Sequence, residues 1–349
     1  MPRNVSTEER RARLAVRHRL APSARGDDDL VAVARSVVAL HATDPATVVL
    51  SAMARMQAPD PDAVARALYD DVLLVRMMAM RRTMFTCAVD DAALLQRSSG
   101  DAVAASERKK LLALLQEQRV SDDPAGWLAA TAASALAAVE AAGELAATEL
   151  TKAVPALGVR VTLGAGTKHA VTGGVTSRVL TLMGLEGQLV RGRPKGRWTS
   201  SQHRWASLTA RLGGPLAAIP VEDARAELVR RWLDRFGPGT IADLKWWTGW
   251  TMGATRAAVA ALDTEEVDVD GTPALVLAGD AEPVEAPEPW VALLPGLDPT
   301  PMGWKDRGWY LGEHKAHVFD TNGNVGPTIW VDGRIAGGWA HRKTGRVST

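Results

Sequence analysis

The 349-residue chain is 46% hydrophobic and 23% charged with a formal net charge of +1, the composition of a folded globular protein rather than a disordered one. Its length suits two or three domains, and no run of about 18 uncharged apolar residues points to a membrane span. The basic N-terminus lacks the apolar stretch of a signal peptide; Cys87, the sole cysteine, rules out an internal disulfide and a cysteine zinc cluster, so a cytoplasmic protein is expected.

In chain order, "DDLVAVARSVVAL" has helical apolar spacing and predicts a helix over 28–40. A polar break at 41–44, "HATD", follows. Pro45 then opens a second helix with Asp44 as its N-cap, and Asp60-Pro61 opens a third. Residues 72–89 read as two apolar strands around a turn at Met80–Thr83. From Asp123 a helical pair broken at Gly143 leads to short strands and a helix around 175–184. Next comes the hairpin "QLVRGRPKGRWTSSQHRW", with Arg191, Arg193, Lys195 and Arg197 at and beside its turn. From Pro220 there is a long helix, a Gly-Pro-Gly break, a short helix, a break at Thr248–Thr251 and another helix. Two strands then flank Gly271-Thr272, and a strand-rich tail begins at Trp290. Helices followed by a hairpin, three times over, is the grammar of tandem winged helix-turn-helix domains. An α+β protein is therefore expected, with boundaries at 1–121, 122–219 and 220–349.

Charge is segregated along the chain. Residues 152–211 hold ten Lys or Arg and one acid, Glu186, a local net of +9, whereas residues 263–288 hold nine Asp or Glu and no Lys or Arg. A basic surface of this kind usually meets a polyanion, nucleic acid being the common one; the alternative is a solvated face balanced by the acidic block in the fold.

Several stretches resemble one family: "FGPGTIADLKWWTGW", "VRMMAMRRTMFTC", "LLPGLDPTPMGWKDR" and "GPTIWVDGRIAGGWAHRKTG". It is the winged-helix family of bacterial DNA glycosylases typified by AlkZ and YcaQ, and the likeness runs in order over nearly the whole chain. It implies three tandem winged-helix domains forming a C-shaped basic channel around double-stranded DNA containing alkylated bases. It also implies monofunctional hydrolysis of N-alkylated purines, bulky adducts and interstrand crosslinks included, without a cofactor, by a nucleoid-associated monomer. The family's catalytic triplet is Gln-x-Gln or Gln-x-Asp at a helix joint in the first domain. The matching triplet here is His41-Ala42-Thr43.

Both polar positions of that triplet have changed, so its chemistry must be argued anew. An N7- or N3-alkylated purine is already cationic and leaves without general-acid help; what remains is to stabilise an oxocarbenium-like sugar and place a water on its open face. A neutral histidine can accept a hydrogen bond from that water and a threonine hydroxyl can orient it. From the unperturbed histidine pKa, activity should fall below about pH 6. The structural alternative is that His41 ends the preceding helix, where its last carbonyls favour a cation, and that Thr43 only precedes a cap. The altered triplet keeps two other readings open: a non-catalytic DNA-binding protein, as lesion sensor or transcriptional regulator, and a fold relic with a small-molecule role.

By the same resemblance Arg81, Arg82 and Thr83 are candidate phosphate contacts beside the active site, and Trp304, Asp306 and the DNA-binding candidate Arg307 match the family tail and either bound the lesion pocket or pack. The cationic tip of the second hairpin, Arg191, Arg193, Lys195 and Arg197, reads as a wing that grips phosphates, with Lys245 a further DNA-binding candidate. Trp246 and Trp247 read as core. His314 and His317 near Glu313 and Asp320 look superficially metal-like, but zinc needs at least three placed ligands and no second cluster is evident. No metal is expected. "GAGTKH" at 164–169 lacks the glycine spacing of a phosphate-binding loop, and Ser177 lacks a nucleophile-elbow context.

Overall fold

The computed structural model describes residues 2–164, 168, 170–342 and 346–349; most of the "GAGTKH" stretch lies outside them. The second helix starts where its capping chemistry says: Asp44 accepts from the Ala46 amide at 3.0 Å and Pro45 occupies the first turn of Pro45–Met53. Asp60 caps Pro61–Tyr69 in the same way, with Asp62 N at 2.8 Å. The hairpin after it pairs Leu74–Met78 with Met84–Ala88, both fully buried.

The first helix differs from expectation. It covers only Leu30–Arg35, and the chain then turns through Val38 at φ 64° into a short strand, Leu40–His41, paired with Thr86 and Phe85. A run such as "VVAL" fits a buried strand as well as a helix, and the open edge of the Met84–Ala88 strand decides between them by satisfying its backbone.

That edge belongs to a sheet shared by two sections. Its six strands run in the order Leu40–His41, Met84–Ala88, Leu74–Met78, Leu189–Arg191, Arg204–Ser207, Glu144–Ala146. The crossing from first to second section is the single register pair Arg76–Arg191. The second section has its own core, from Leu111 to Trp205, under the helix Pro124–Ala142. Among the described residues that helix alone has the length and hydropathy (1.3) of a membrane span, but its Leu128, Ala135 and Val139 are buried in this core. A separate two-stranded hairpin, Arg160–Leu163 with Val171–Gly174, precedes the helix Thr176–Leu185.

The third section follows the expected order: Val221–Phe236, Ile241–Thr248 and Met252–Ala260, then Thr264–Val269 paired with Thr272–Leu277. Asp270 and Gly271, at φ 51° and 82°, supply the two left-handed positions of that tight turn. Arg3–Asn4 adds to this hairpin as a parallel third strand. The acidic block faces the N-terminal helix Thr7–Arg17, not the basic stretch: Asp280 binds Arg13 and Arg17. The tail is only partly strand, with short helices at Gly308–Leu311 and Lys315–Val318 before a three-stranded sheet built from Val291–Leu294, Thr328–Val331 and Arg334–Gly338. One continuous core joins the first section to the third and the tail, from Leu14 and Leu40 to Trp232, Trp304 and Trp330.

Candidate active site

His41 sits at the end of its strand, 8% exposed, with its ring edge-on to Phe85 at 5.8 Å. Its position is fixed by the backbone around it. Ala42 N donates to Met84 O at 2.9 Å, and the buried Arg76 donates through Nη2 to Ala42 O at 2.7 Å. The imidazole Nδ1 is buried and has no hydrogen-bond partner among the described residues. Burial, then the charge of Arg81, pushes the pKa of His41 down to about 4, Asp298 pulling weakly the other way. His41 is therefore neutral at physiological pH, with a lone pair to offer.

His41 and Thr43 open onto one cavity of about 680 Å³, also lined by Thr83, Leu297, His317, Phe319, Asp320, Asn324 and Val325. The helix-end reading of His41 fails, because the residue lies in a strand, six residues beyond the last residue of the helix. Asp44 does cap, as expected. The far wall comes from the tail. Phe319 bridges Val325, and in the turn between them Asp320 accepts from the backbone amides of Asn322 and Asn324 at 2.9 and 2.8 Å and from Asn324 Nδ2 at 3.0 Å. These donors, the Asn324 side chain first, hold the Asp320 carboxyl below its ordinary pKa. The cavity rim thus carries a fixed negative charge able to face a cationic sugar. In the sequence His317 and Asp320 stand out only as part of a metal-like pattern; the D-T-N-G-N turn is the signal that Asp320 is fixed in place.

Arg307 supports that wall. Its guanidinium lies 4.4 Å from the Phe319 ring centroid and 4.8 Å from that of Trp246, and it donates to Gly323 O at 3.4 Å and Trp304 O at 3.2 Å. Arg81 lies 4.8 Å from the same Trp246 ring, with left-handed backbone at φ 54°. Its stem crosses Gly249 so closely that a Cβ there would stand 2.7 Å from Arg81 Cγ. Arg81 and Arg307 are thus packed groups that bound the site, and Trp246 is their partner rather than plain core. Trp247 is buried, and Trp304 is core with its Nε1 donating to Phe236 O at 3.1 Å. Asp306 accepts from Gly308 N at 3.2 Å.

The remaining candidate cations divide by what they meet. Arg82 pairs with Glu107 at 2.9 Å, Arg193 with Asp70, and Lys195 with Glu149 at 2.8 Å. Arg204 and Arg211 share Glu144. Much of the basic stretch is therefore balanced inside the fold by acids other than the acidic block. Lys245 and Arg197 are exposed, and Arg191 is half-buried with its guanidinium 3.8 Å above Trp205.

Below the site a second histidine links the sections. His18 is fully buried; Nδ1 meets Thr300 Oγ1 at 2.9 Å and Nε2 meets Arg235 O at 3.1 Å. A carbonyl only accepts, so Nε2 carries the proton and the ring is neutral. Burial, with Arg55 adding to it, pushes its pKa down to about 3. For both His18 and His41 the folded pKa lies below the unfolded 6.5, so the unfolded chain binds more protons as pH falls from 6.5 towards 4. Stability is full above pH 6.5 and is lost at roughly 3 kcal/mol per pH unit near pH 5, counting these two buried groups. Denaturant unfolding at pH 7.5 and 5.0 checks this, and equal stability at both would contradict it.

A family model described as "DNA glycosylase AlkZ-like" matches residues 34–349. The interstrand DNA cross-link repair glycosylase of Streptomyces sahachiroi is 29% identical over 140 residues, 37% of this chain and 38% of the relative, so that alignment spans well under half of the relative's length. Among solved structures, the DNA glycosylase AlkZ of the same organism matches 97% of this chain and 89% of its own with a TM-score of 0.73 at 21% identity, a shared fold. The family match spans nearly the whole chain and includes the His41–Thr43 joint: the protein belongs to the AlkZ-like DNA glycosylase family.

Proposed function

We propose that this protein is a monofunctional DNA glycosylase hydrolysing the N-glycosidic bond of N7- or N3-alkylated purines in duplex DNA, bulky adducts and interstrand crosslinks among them. The observation that carries the reading is His41, a buried neutral imidazole with an unpartnered Nδ1, opening with Thr43 onto one large cavity. The C1′–N bond breaks with its electron pair passing to the cationic base, which leaves neutral. Water adds to C1′, and its proton passes to His41 and on to solvent. A weak base suffices, because water adding to an oxocarbenium ion becomes strongly acidic. Asp320 supplies negative charge at the rim. The wide cavity suits a bulky adduct, for which complete flipping is costly.

The organisation into winged-helix sections at 1–121, 122–219 and 220–349 around a basic channel belongs to the same proposal, as do a monomeric state, a place beside the cytoplasmic nucleoid, and a role in base excision repair or genotoxin self-resistance. The test is incubation with duplex DNA carrying N7-methylguanine or a nitrogen-mustard crosslink, followed by an assay for abasic sites. Release is expected. Arg191, Arg197 and Lys245, each contacting one phosphate, give binding a log–log salt slope of about −3. The change at both polar positions of the family triplet favours a second reading, a non-catalytic DNA-binding protein acting as lesion sensor or transcriptional regulator. Intact, salt-dependent binding with no base release would select it, and a flat salt response would remove both readings.

A further inference from the structure

The strand pair that joins the first two sections sets Arg76 directly opposite Arg191. Like charges facing each other across an antiparallel pair are destabilising, yet neither guanidinium has a carboxylate in ion-pair reach among the described residues. Arg76 is 2% exposed; Nη2 is used on Ala42 O, while Nε and Nη1 have no partner. Arg191 lies over Trp205 at 3.8 Å, which supports its face and leaves its N–H edge free to act. His203, next to the strand Arg204–Ser207, has a buried Nδ1 without a partner. Burial first, then the charges of Arg191 and Arg76, push its pKa to about 4 against the pull of Asp44. Asp44 is committed to the Ala46 amide. Two arginines and a histidine thus converge with unused donors and, among the described residues, no carboxylate in ion-pair contact. Arg76 also holds the carbonyl of Ala42, the middle residue of the His41–Thr43 joint.

We propose that Arg76, Arg191 and His203 form a site for one oxyanion, the DNA backbone phosphate that flanks the target nucleotide. Arg191 contacts the phosphate, His203 adds a second donor, and Arg76 provides buried positive charge behind them while anchoring the joint. The phosphate would also neutralise two cations that otherwise oppose positive charge at C1′. The site rests on the glycosylase reading for its substrate, but its test reads binding alone.

The full-length protein is titrated with a duplex carrying a tetrahydrofuran abasic-site analogue, in which successive backbone linkages are replaced singly by neutral methylphosphonate. One linkage beside the analogue is expected to weaken wild-type binding about tenfold when neutralised and to have no effect on Arg191→Gln, whose salt slope falls by about one. Arg76→Gln removes a buried group and can unfold the chain, so His203→Asn serves as the second variant and should halve the linkage effect or more. A flat scan, or a scan unchanged by Arg191→Gln, overturns the proposal. Inorganic phosphate is the second arm, followed by the His203 NMR signal: a rise in its pKa with a flat DNA scan would mean a free-anion site and would also overturn it. Loss of the linkage effect with base release intact removes this site and leaves the enzyme; a retained effect without release does the reverse.

Discussion

Replacing His41 with alanine is expected to slow base release by about 10²–10⁴-fold, the range for removing one proton-transfer group, while affinity for duplex DNA stays nearly unchanged. The imidazole is 8% exposed and lines the cavity with no hydrogen-bond partner among the described residues, so its loss removes water placement without touching the exposed cations. His41→Gln restores the glutamine of the family triplet and keeps an acceptor, so it should retain activity within about tenfold of wild type. The pH profile separates a proton acceptor from a spacer. With burial and Arg81 holding the His41 pKa at about 4, wild-type activity should stay level from neutral pH to about 5 and fall through about 4, lower than the pH 6 expected from an unperturbed ring. The glutamine variant should lose that limb. Single-turnover release by His41→Ala at the wild-type rate would sink the assignment.

What was legible in the sequence followed from local rules. Asp44 with Pro45 and Asp60 with Pro61 satisfy backbone groups within a few residues and appear where expected, while the third-section hairpin turns at Asp270-Gly271, one residue before the expected Gly271-Thr272, because Thr272 pairs with Val269 in the strand. The site was half legible. The triplet position located His41 and Thr43, but its shape depends on long-range pairing. The Leu40–His41 strand exists because Phe85 and Thr86 offer an open edge, and no local signal in "VVAL" records that. The cavity's far wall comes from residues 317–326, nearly 280 positions away, and is held by Arg307 stacking between Trp246 and Phe319. Charge was misleading for a similar reason. Arg82, Arg193 and Lys195 read as a phosphate-binding surface until the fold brings Glu107, Asp70 and Glu149 to them. Arg76, hidden in a buried strand, gave no sign of being beside Arg191.

The largest stability effect is expected at Asp298. Its carboxylate and the Arg55 guanidinium are both fully buried, joined by Nη1–Oδ2 and Nη2–Oδ1 contacts of 2.9 and 2.8 Å. Arg55 also donates to Thr300 Oγ1 at 2.8 Å, Asp298 accepts from Thr300 N at 2.9 Å, and the Thr300 hydroxyl passes its proton's hydrogen bond to His18 Nδ1. Burial works to raise the Asp298 pKa, but Arg55 outweighs it and the acid stays ionised. Removing one partner leaves an unpaired charge in a dry core, so Asp298→Ala should destabilise the protein by about 3–5 kcal/mol, whereas the paired change Arg55→Leu with Asp298→Leu should recover most of the loss. Equilibrium denaturation of the two single variants and the double variant measures this directly; additive losses would show that the pair is not coupled. The consequence reaches the cavity, because this network and the Thr47–Gly296 hydrogen bond at 2.8 Å tie the helix after the His41–Thr43 joint to the tail that supplies Leu297 and Asp320. Asp298→Ala should therefore lose base release at temperatures where the protein is still folded, and the double variant should regain it. Release that tracks only the folded fraction would mean that the two walls keep their spacing without the pair.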